Sequence, residues 1–308
     1  HSMEGAFVMR TAFLQTLLDI MRTDKNVITI TADMGFSVFE DMQKEFPKRF
    51  INTGVTEQSS IGIATGLALS GYTVYFYAQA PFATMRCFEQ VRLDVAYNNV
   101  NVKIVGTASG FSSNQLGVSH FSLEDIALMR VMPNMTVFSP GDPFEAEWAT
   151  RTAYEISGPT YIRLTKDGSP IIHKAKVKQS FILGKGIEVT NGSDFTLLVS
   201  GSLLPMAKQI VDDLAEKNLN GTLISLPVVK PIYNDIIIKK AKTTKYLFTL
   251  EEHSIIGGLG SAVAEILAES QSSVFFHRFG VSDKFTSITG SQPYLLDYNG
   301  LSAEKVGK

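Results

Sequence analysis

The 308-residue chain carries 28 basic and 30 acidic side chains, a near balance that excludes the concentrated positive charge of a nucleic-acid-binding surface and any polybasic membrane signal. Its one cysteine, Cys87, excludes an intramolecular disulfide, and no apolar run reaches the ~20 residues needed to cross a bilayer. With no basic-then-apolar leader before the first amphipathic stretch, a cytoplasmic protein acting on small molecules and protein partners is expected.

At this length two α/β domains of ordinary size are expected, each with its own core. Apolar residues recur at helical spacing from Phe7 to Met21, and the β-branched run from Asn26 to Thr31 then predicts a strand leading to Asp33. The rhythm continues with a helix of small apolar residues from Glu57 to Leu69, a strand at Thr73–Tyr77, a helix over Ala83–Tyr97 and a strand at Val102–Gly106. A helix near Leu123–Met132, a strand at Thr136–Phe138, a helix over Pro143–Ile156 and a strand at Thr160–Leu164 close the first half. Residues 166–180 lose periodicity and read as a linker. Beyond it, strands at Phe195–Val199, Thr222–Leu226 and Tyr246–Leu250 alternate with helices at Pro205–Lys217, Asn234–Ala241 and Gly260–Glu269. Apolar strands separated by helices imply parallel sheets covered on both faces. The expected fold is two consecutive three-layer α/β domains, over residues 4–165 and 181–308.

The segment from Asn52 to Ala64 places Glu57 at the start of a helix otherwise built of small apolar residues. Such a carboxylate suits the positive end of the helix dipole, or else enters a close-packed interface as a functional acid. Spacing leaves both open.

Four segments, taken in order, resemble the transketolase family. Gly54-Val55-Thr56-Glu57-Gln58 is similar to the glycine-x-x-glutamate segment of the pyrimidine-binding domain in transketolases and 1-deoxyxylulose 5-phosphate synthases. The stretch from Val118 to Ala127, containing Ser119-His120-Phe121-Ser122, resembles their threonine-histidine segment. Met132-Pro133-Asn134-Met135-Thr136-Val137 with Pro140-Gly141-Asp142 looks like the following strand and turn. Glu251-Glu252-His253 leading to Gly257-Gly258-Leu259-Gly260 resembles the opening of a helix in their C-terminal domain. Together these cover nearly the whole chain.

The resemblance implies a thiamine diphosphate enzyme in which Glu57 hydrogen-bonds N1′ of the aminopyrimidine and acts as acid/base through the cofactor. By the same matching, Phe82 falls where the family packs a ring on the aminopyrimidine, and Gln79 replaces a second aromatic. Asp33 is a further cofactor-side candidate at a strand end. His120 falls over the reacting carbon, where it can bond substrate oxygens and move protons. Arg10, Ser37 and Arg163 fall where transketolases hold a sugar phosphate, a task that suits the planar donor fork of arginine. Leu116 and Ala108 stand where the family places an acidic residue and a histidine, which implies altered recognition of the sugar.

No metal ligand is expected from this chain, since neither the glycine-aspartate-glycine segment nor the asparagine-containing segment that holds the diphosphate cation is present. The resemblance therefore implies the C-terminal subunit of a split transketolase, with Mg²⁺ or Ca²⁺ and the diphosphate bound by an N-terminal partner subunit in an α2β2 heterotetramer. The rival readings are the beta subunit of a 2-oxo acid dehydrogenase, a deoxyxylulose phosphate synthase-like enzyme and a non-enzymatic scaffold.

Overall fold

The computed structural model describes residues 9–35, 38–166, 169–173 and 181–308. In the first half, β1 (Val27–Thr31), β2 (Phe50–Asn52), β3 (Thr73–Gln79), β4 (Val102–Thr107), β5 (Thr136–Phe138) and β6 (Thr160–Arg163) alternate with helices. Those helices are α1 (Met9–Thr23), α2 (Glu40–Glu45), α3 (Glu57–Leu69), α4 (Phe88–Gln90), α5 (Asp125–Val131) and α6 (Pro143–Glu155). The second half carries β7 (Ile187–Thr190), β8 (Phe195–Val199), β9 (Gly221–Ser225), β10 (Val228–Lys230), β11 (Tyr246–Ser254) and β12 (Phe275–Val281). Its helices are α7 (Leu204–Ala215), α8 (Asn234–Thr243), α9 (Leu259–Glu269), α10 (Gln292–Tyr298) and α11 (Ala303–Val306).

The first sheet has the order β10-β5-β6-β4-β3-β1-β2 and the second β12-β11-β8-β9-β7. Side chains alternate across β3: Val74, Phe76 and Ala78 join the core under α3 and α5, while Tyr75 and Tyr77 join the core under α1 and α6. Two cores on opposite faces make three layers. The second sheet repeats the arrangement, with α7 and α10 over one face and α8 and α9 over the other.

Besides elements the pattern does not predict (α2, β2, β7, β12, α10 and α11), two features depart from the sequence expectation. The helix expected over Ala83–Tyr97 is not regular: residues Phe82–Arg86 and Val91–Tyr97 form π-helical turns on either side of α4. The Cys87 thiol bonds the carbonyls of Phe82 at 3.3 Å and Ala83 at 3.1 Å, holding the first wide turn. The second departure is β10, which leaves the second half of the chain and pairs antiparallel with β5 at the edge of the first sheet. A three-residue strand before Pro231 carries no periodicity of its own, so this pairing exists only because the packed halves bring the segments together.

The junction is polar and buried. Glu252 accepts from the Phe111 amide at 2.8 Å and from Gln292 Nε2 at 2.8 Å, and also from the Ser202 hydroxyl. Gly110, at φ +61°, makes this approach possible, since a Cβ there would lie 2.6 Å from the Glu252 carboxyl carbon. Its neighbours in sequence serve the same architecture. Glu251 accepts from the Leu259 and Gly260 amides at 2.7 and 2.8 Å, which caps α9, and His253 Nε2 accepts from the Ala127 amide at 3.3 Å.

A second buried cluster lies at the start of α6. Asp142 caps that helix by accepting from the Glu145 amide at 2.9 Å, and its other oxygen takes the Ile172 and His173 amides, each at 3.0 Å. Glu145 then meets His173 Nε2 at 2.6 Å and Ser225 Oγ at 2.5 Å, tying the segment after β6 to the second sheet. Burial works against a charged imidazole here, but the hydrogen bond and charge of Glu145, with Asp142 behind it, hold His173 above its ordinary value. A raised folded-state value gives stability that is complete below the unfolded value of about 6.5 and is lost as pH rises through the folded one. Burial lowers Lys103 to about 7, which has the opposite sign above neutrality. The contribution of His173 is therefore read as a difference. Thermal midpoints of wild type and His173→Gln are expected to lie furthest apart near pH 6 and to converge towards pH 9. A constant gap would show that His173 acts without its charge.

Candidate active site

In a parallel sheet the ligand side lies at the carboxyl ends of the strands, and here β1, β2, β3 and β4 end together. The loop from β2 into α3 is tied to that edge. Thr53 donates its amide to Thr31 O at 3.0 Å, and its hydroxyl lies 2.7 Å from that of Ser60. Gly54 turns the chain at φ +74°, and its amide bonds Asn52 Oδ1 at 3.0 Å. Glu57 follows as the first residue of α3, 3% exposed.

Glu57 does not stand alone. Arg86 Nη1 donates to Glu57 Oε2 at 2.8 Å, and the same guanidinium lies 4.0 Å over the ring of Phe82. Phe82 and Arg86 are the two ends of the first π-helical turn, so one local irregularity presents both. His120 meets the Phe82 ring edge-on at 5.1 Å, and Ser119 Oγ lies 2.9 Å from its Nδ1. Glu57, Phe82 and His120, expected from three separated segments, thus form one contiguous group through Arg86. Burial, with the Glu57 charge adding, pushes the neighbouring Cys87 thiol up to about 12.

Beside this group a cavity of about 390 Å³ is lined by Arg10, Gln79, Ala108, Ser112, Leu116 and Lys166 among others. Gln79 Oε1 and Ser112 Oγ are among the buried polar atoms around this cavity that have no hydrogen-bond partner. Ala108 holds φ +53°, a conformation that costs free energy outside glycine and often accompanies functional loops. Asp33, at φ +47°, lines an adjoining cavity with Asn52, and Met34 and Gly35 border both spaces. Ser37 lies outside the described residues.

Arg163 requires a correction. Its side chain is 3% exposed, with Nε donating to Asp125 Oδ2 at 2.8 Å and Nη2 to the Ser122 and Glu252 carbonyls at 3.0 and 2.9 Å. A guanidinium committed to those acceptors is an internal brace and presents no fork to a sugar phosphate. A cation that does border the cavity, with Arg10, is Lys166, three residues further on, which the loss of periodicity places in the linker. Arg86 is not singled out by the sequence pattern. Its only signal is its place four residues after Phe82, which puts the two side chains on one face of a helical turn.

Residues 6–170 match the family described as "Transketolase, pyrimidine binding domain", and residues 184–306 match "Transketolase, C-terminal domain". The chain is 38% identical over 97% of its length to a proposed transketolase C-terminal section of Methanocaldococcus jannaschii, covering 94% of that protein. It is 32% identical over 99% of its length to one of the subunits of the apulose-4-phosphate transketolase of Actinobacillus succinogenes, covering 97% of it. Among solved structures, a split-gene transketolase described as an inactive beta4 tetramer superposes with a TM-score of 0.88 at 34% identity, over 98% of this chain and 96% of that one.

Proposed function

The chain belongs to the transketolase family, and from that membership we propose that it moves a two-carbon ketol unit from an anionic ketose to an aldose, as one half of a divided thiamine diphosphate enzyme. The observation that carries this reading is the buried Glu57 carboxylate grouped with the Phe82 ring and His120. One carboxylate, one aromatic face and one histidine fit the aminopyrimidine end of the cofactor. Among the described residues no group of three or more His, Cys, Asp or Glu could hold a metal ion. The likeness to subunits of divided transketolases supports assigning the diphosphate and its Mg²⁺ or Ca²⁺ to a partner subunit.

When bound, the cofactor supplies the electron sink for cleaving a carbon–carbon bond beside a carbonyl. The residues of this chain do the rest. Glu57 holds a proton at N1′, where a buried acid is shielded from exchange with bulk water. Phe82 fixes the plane of the ring by stacking. His120, edge-on to the Phe82 ring, donates to substrate oxygens. Arg10 and Lys166 neutralise the anionic end of the sugar, and Gln79 and Ser112 bond its hydroxyls. Leu116 and Ala108 remove charged partners from that wall, so the preferred sugar differs from standard pentose phosphates. Asp33 contributes from the neighbouring strand end.

The outer face of α3 supports assembly. Gln58, Ser59, Gly62, Ile63, Gly66 and Leu69 are exposed on an otherwise apolar helix that begins with Glu57, a surface suited to close contact with another subunit. An α2β2 heterotetramer would cover it. The solved relative that is an inactive tetramer of one chain type agrees with a chain that needs a second component.

The purified chain alone is expected to bind thiamine diphosphate weakly, with or without magnesium, and to lack ketol transfer. Adding the subunit that carries the diphosphate domain should restore both. Tight magnesium-dependent binding in calorimetry of the chain by itself would overturn the divided-enzyme reading.

A further inference from the structure

Arg86 makes two contacts at once: Nη1 donates to Glu57 Oε2 at 2.8 Å, and the guanidinium carbon lies over the Phe82 ring, 4.0 Å from its centroid. A flat, hydrogen-bond-donating group is thus held between a carboxylate and an aromatic face. Those are the two partners that the cofactor reading assigns to the aminopyrimidine, itself flat and aromatic, with N1′ bonded to the carboxylate. The guanidinium is a stand-in for the ring in shape and in bonding.

We propose that Arg86 occupies the place of the aminopyrimidine in the uncomplexed subunit and is exchanged for it when the cofactor loads. The inference rests on the assignment of Glu57 and Phe82 to the cofactor. Three features favour exchange over a permanent brace. The Arg86 side chain is 41% exposed, whereas that of Glu57 is 4% exposed, so the arginine has solvent to move into and the carboxylate does not. The ion pair is single and monodentate, with one Nη–Oε bond, unlike the buried Arg163, which is held by three acceptors. Arg86 also closes a π-helical turn, a local widening that often accompanies functional sites.

Exchange has a function. A buried carboxylate is costly to leave unpaired while the subunit waits for its partner, and a polar group must cover it. Arg86 supplies that cover at the expense of some cofactor affinity. Arg86 is in this sense a positioning residue, since it keeps Glu57 and Phe82 in place for the ring.

The test uses the reconstituted two-subunit complex and measures the dissociation constant of thiamine diphosphate at fixed magnesium by calorimetry, with no turnover involved. Arg86→Met, which keeps an unbranched apolar stem but cannot pair with Glu57, is expected to tighten binding about 5- to 20-fold, consistent with losing one exposed ion pair and one exposed cation–π contact. Arg86→Lys should fall between wild type and Arg86→Met. Glu57→Gln in the Arg86→Met background should cancel the gain, because the competition is for that carboxylate. Unchanged or weaker binding by Arg86→Met, with the complex still assembled by size-exclusion chromatography, would overturn the proposal. If Glu57→Gln and Phe82→Ala each leave affinity at the wild-type value, the cofactor assignment has failed instead. The free aminopyrimidine 4-amino-5-aminomethyl-2-methylpyrimidine gives a second measurement on the isolated chain. Its binding should be stronger to Arg86→Met than to wild type, and equal binding to both would also overturn the proposal.

Discussion

Glu57→Gln in the assembled enzyme is expected to slow hydrogen–deuterium exchange at C2 of the bound thiazolium by about 10³-fold while leaving the subunits associated. Glutamine keeps the size of the side chain and one accepting oxygen, so packing at the start of α3 is preserved. It cannot share an acidic proton with N1′. A 10³-fold loss corresponds to roughly 4 kcal/mol of lost stabilisation, within the range that general acid–base catalysis supplies and beyond what a helix-start charge contributes. Acid quench followed by NMR follows the exchange without knowledge of the sugar. Wild-type exchange by the glutamine variant with cofactor bound would reduce Glu57 to a dipole partner of α3.

The second large effect is on stability. Asp125 is fully buried, and its Oδ2 takes both Arg163 Nε at 2.8 Å and Tyr161 Oη at 2.6 Å. Burial by itself would raise this carboxyl; the Arg163 charge, with the two hydrogen bonds, outweighs it and holds Asp125 below its ordinary value. Asp125→Asn leaves Arg163 charged and unpaired in the interior, which costs about 3–5 kcal/mol. Through the carbonyls of Ser122 and Glu252 the same arginine joins the two halves of the chain. The thermal midpoint is expected to fall by roughly 10 °C, and the urea midpoint to fall without a change in slope. Because the folded-state value of Asp125 is depressed, its contribution is present above about pH 4 and is lost as pH falls through that lowered value. Wild type and Asp125→Asn should therefore converge in acid. A variant as stable as wild type at pH 7 would contradict the role given to this pair.

Several elements could be read from the chain because their periodicity is set by burial alone. The helix from Glu57 to Leu69 and the strands Thr136–Phe138 and Phe195–Val199 match expectation residue for residue. The helix packs one face on one core and the two strands are buried on both faces of their sheets, so local pattern and global packing agree. Edge strands behave differently. Phe275–Val281 is partly exposed along its length and lies at the margin of the second sheet, where one neighbour suffices and the apolar pattern is weak. The strand Val228–Lys230 is set by its partner β5, 90 residues earlier in the chain, which no local window contains.

At the site the division follows the same line. The sequence by itself singled out a carboxylate at a helix start, a ring and a loop histidine as candidates, because they sit in segments whose order and spacing are distinctive. It determined the alternation of strand and helix, and with it the side of the sheet where those residues gather. Only the tertiary structure decided which cations face the cavity. Arg163 and Lys166 are three residues apart at the end of one strand, and nothing local distinguishes an arginine drawn inward by Asp125 from a lysine left at the rim. The difference is made by Asp125, 38 residues earlier, whose buried charge requires a partner and takes the nearest guanidinium. The same holds for Arg86, whose place over Phe82 depends on a buried carboxylate 29 residues away. Charge pairing is a long-range property of the folded chain, whereas periodicity is a local one.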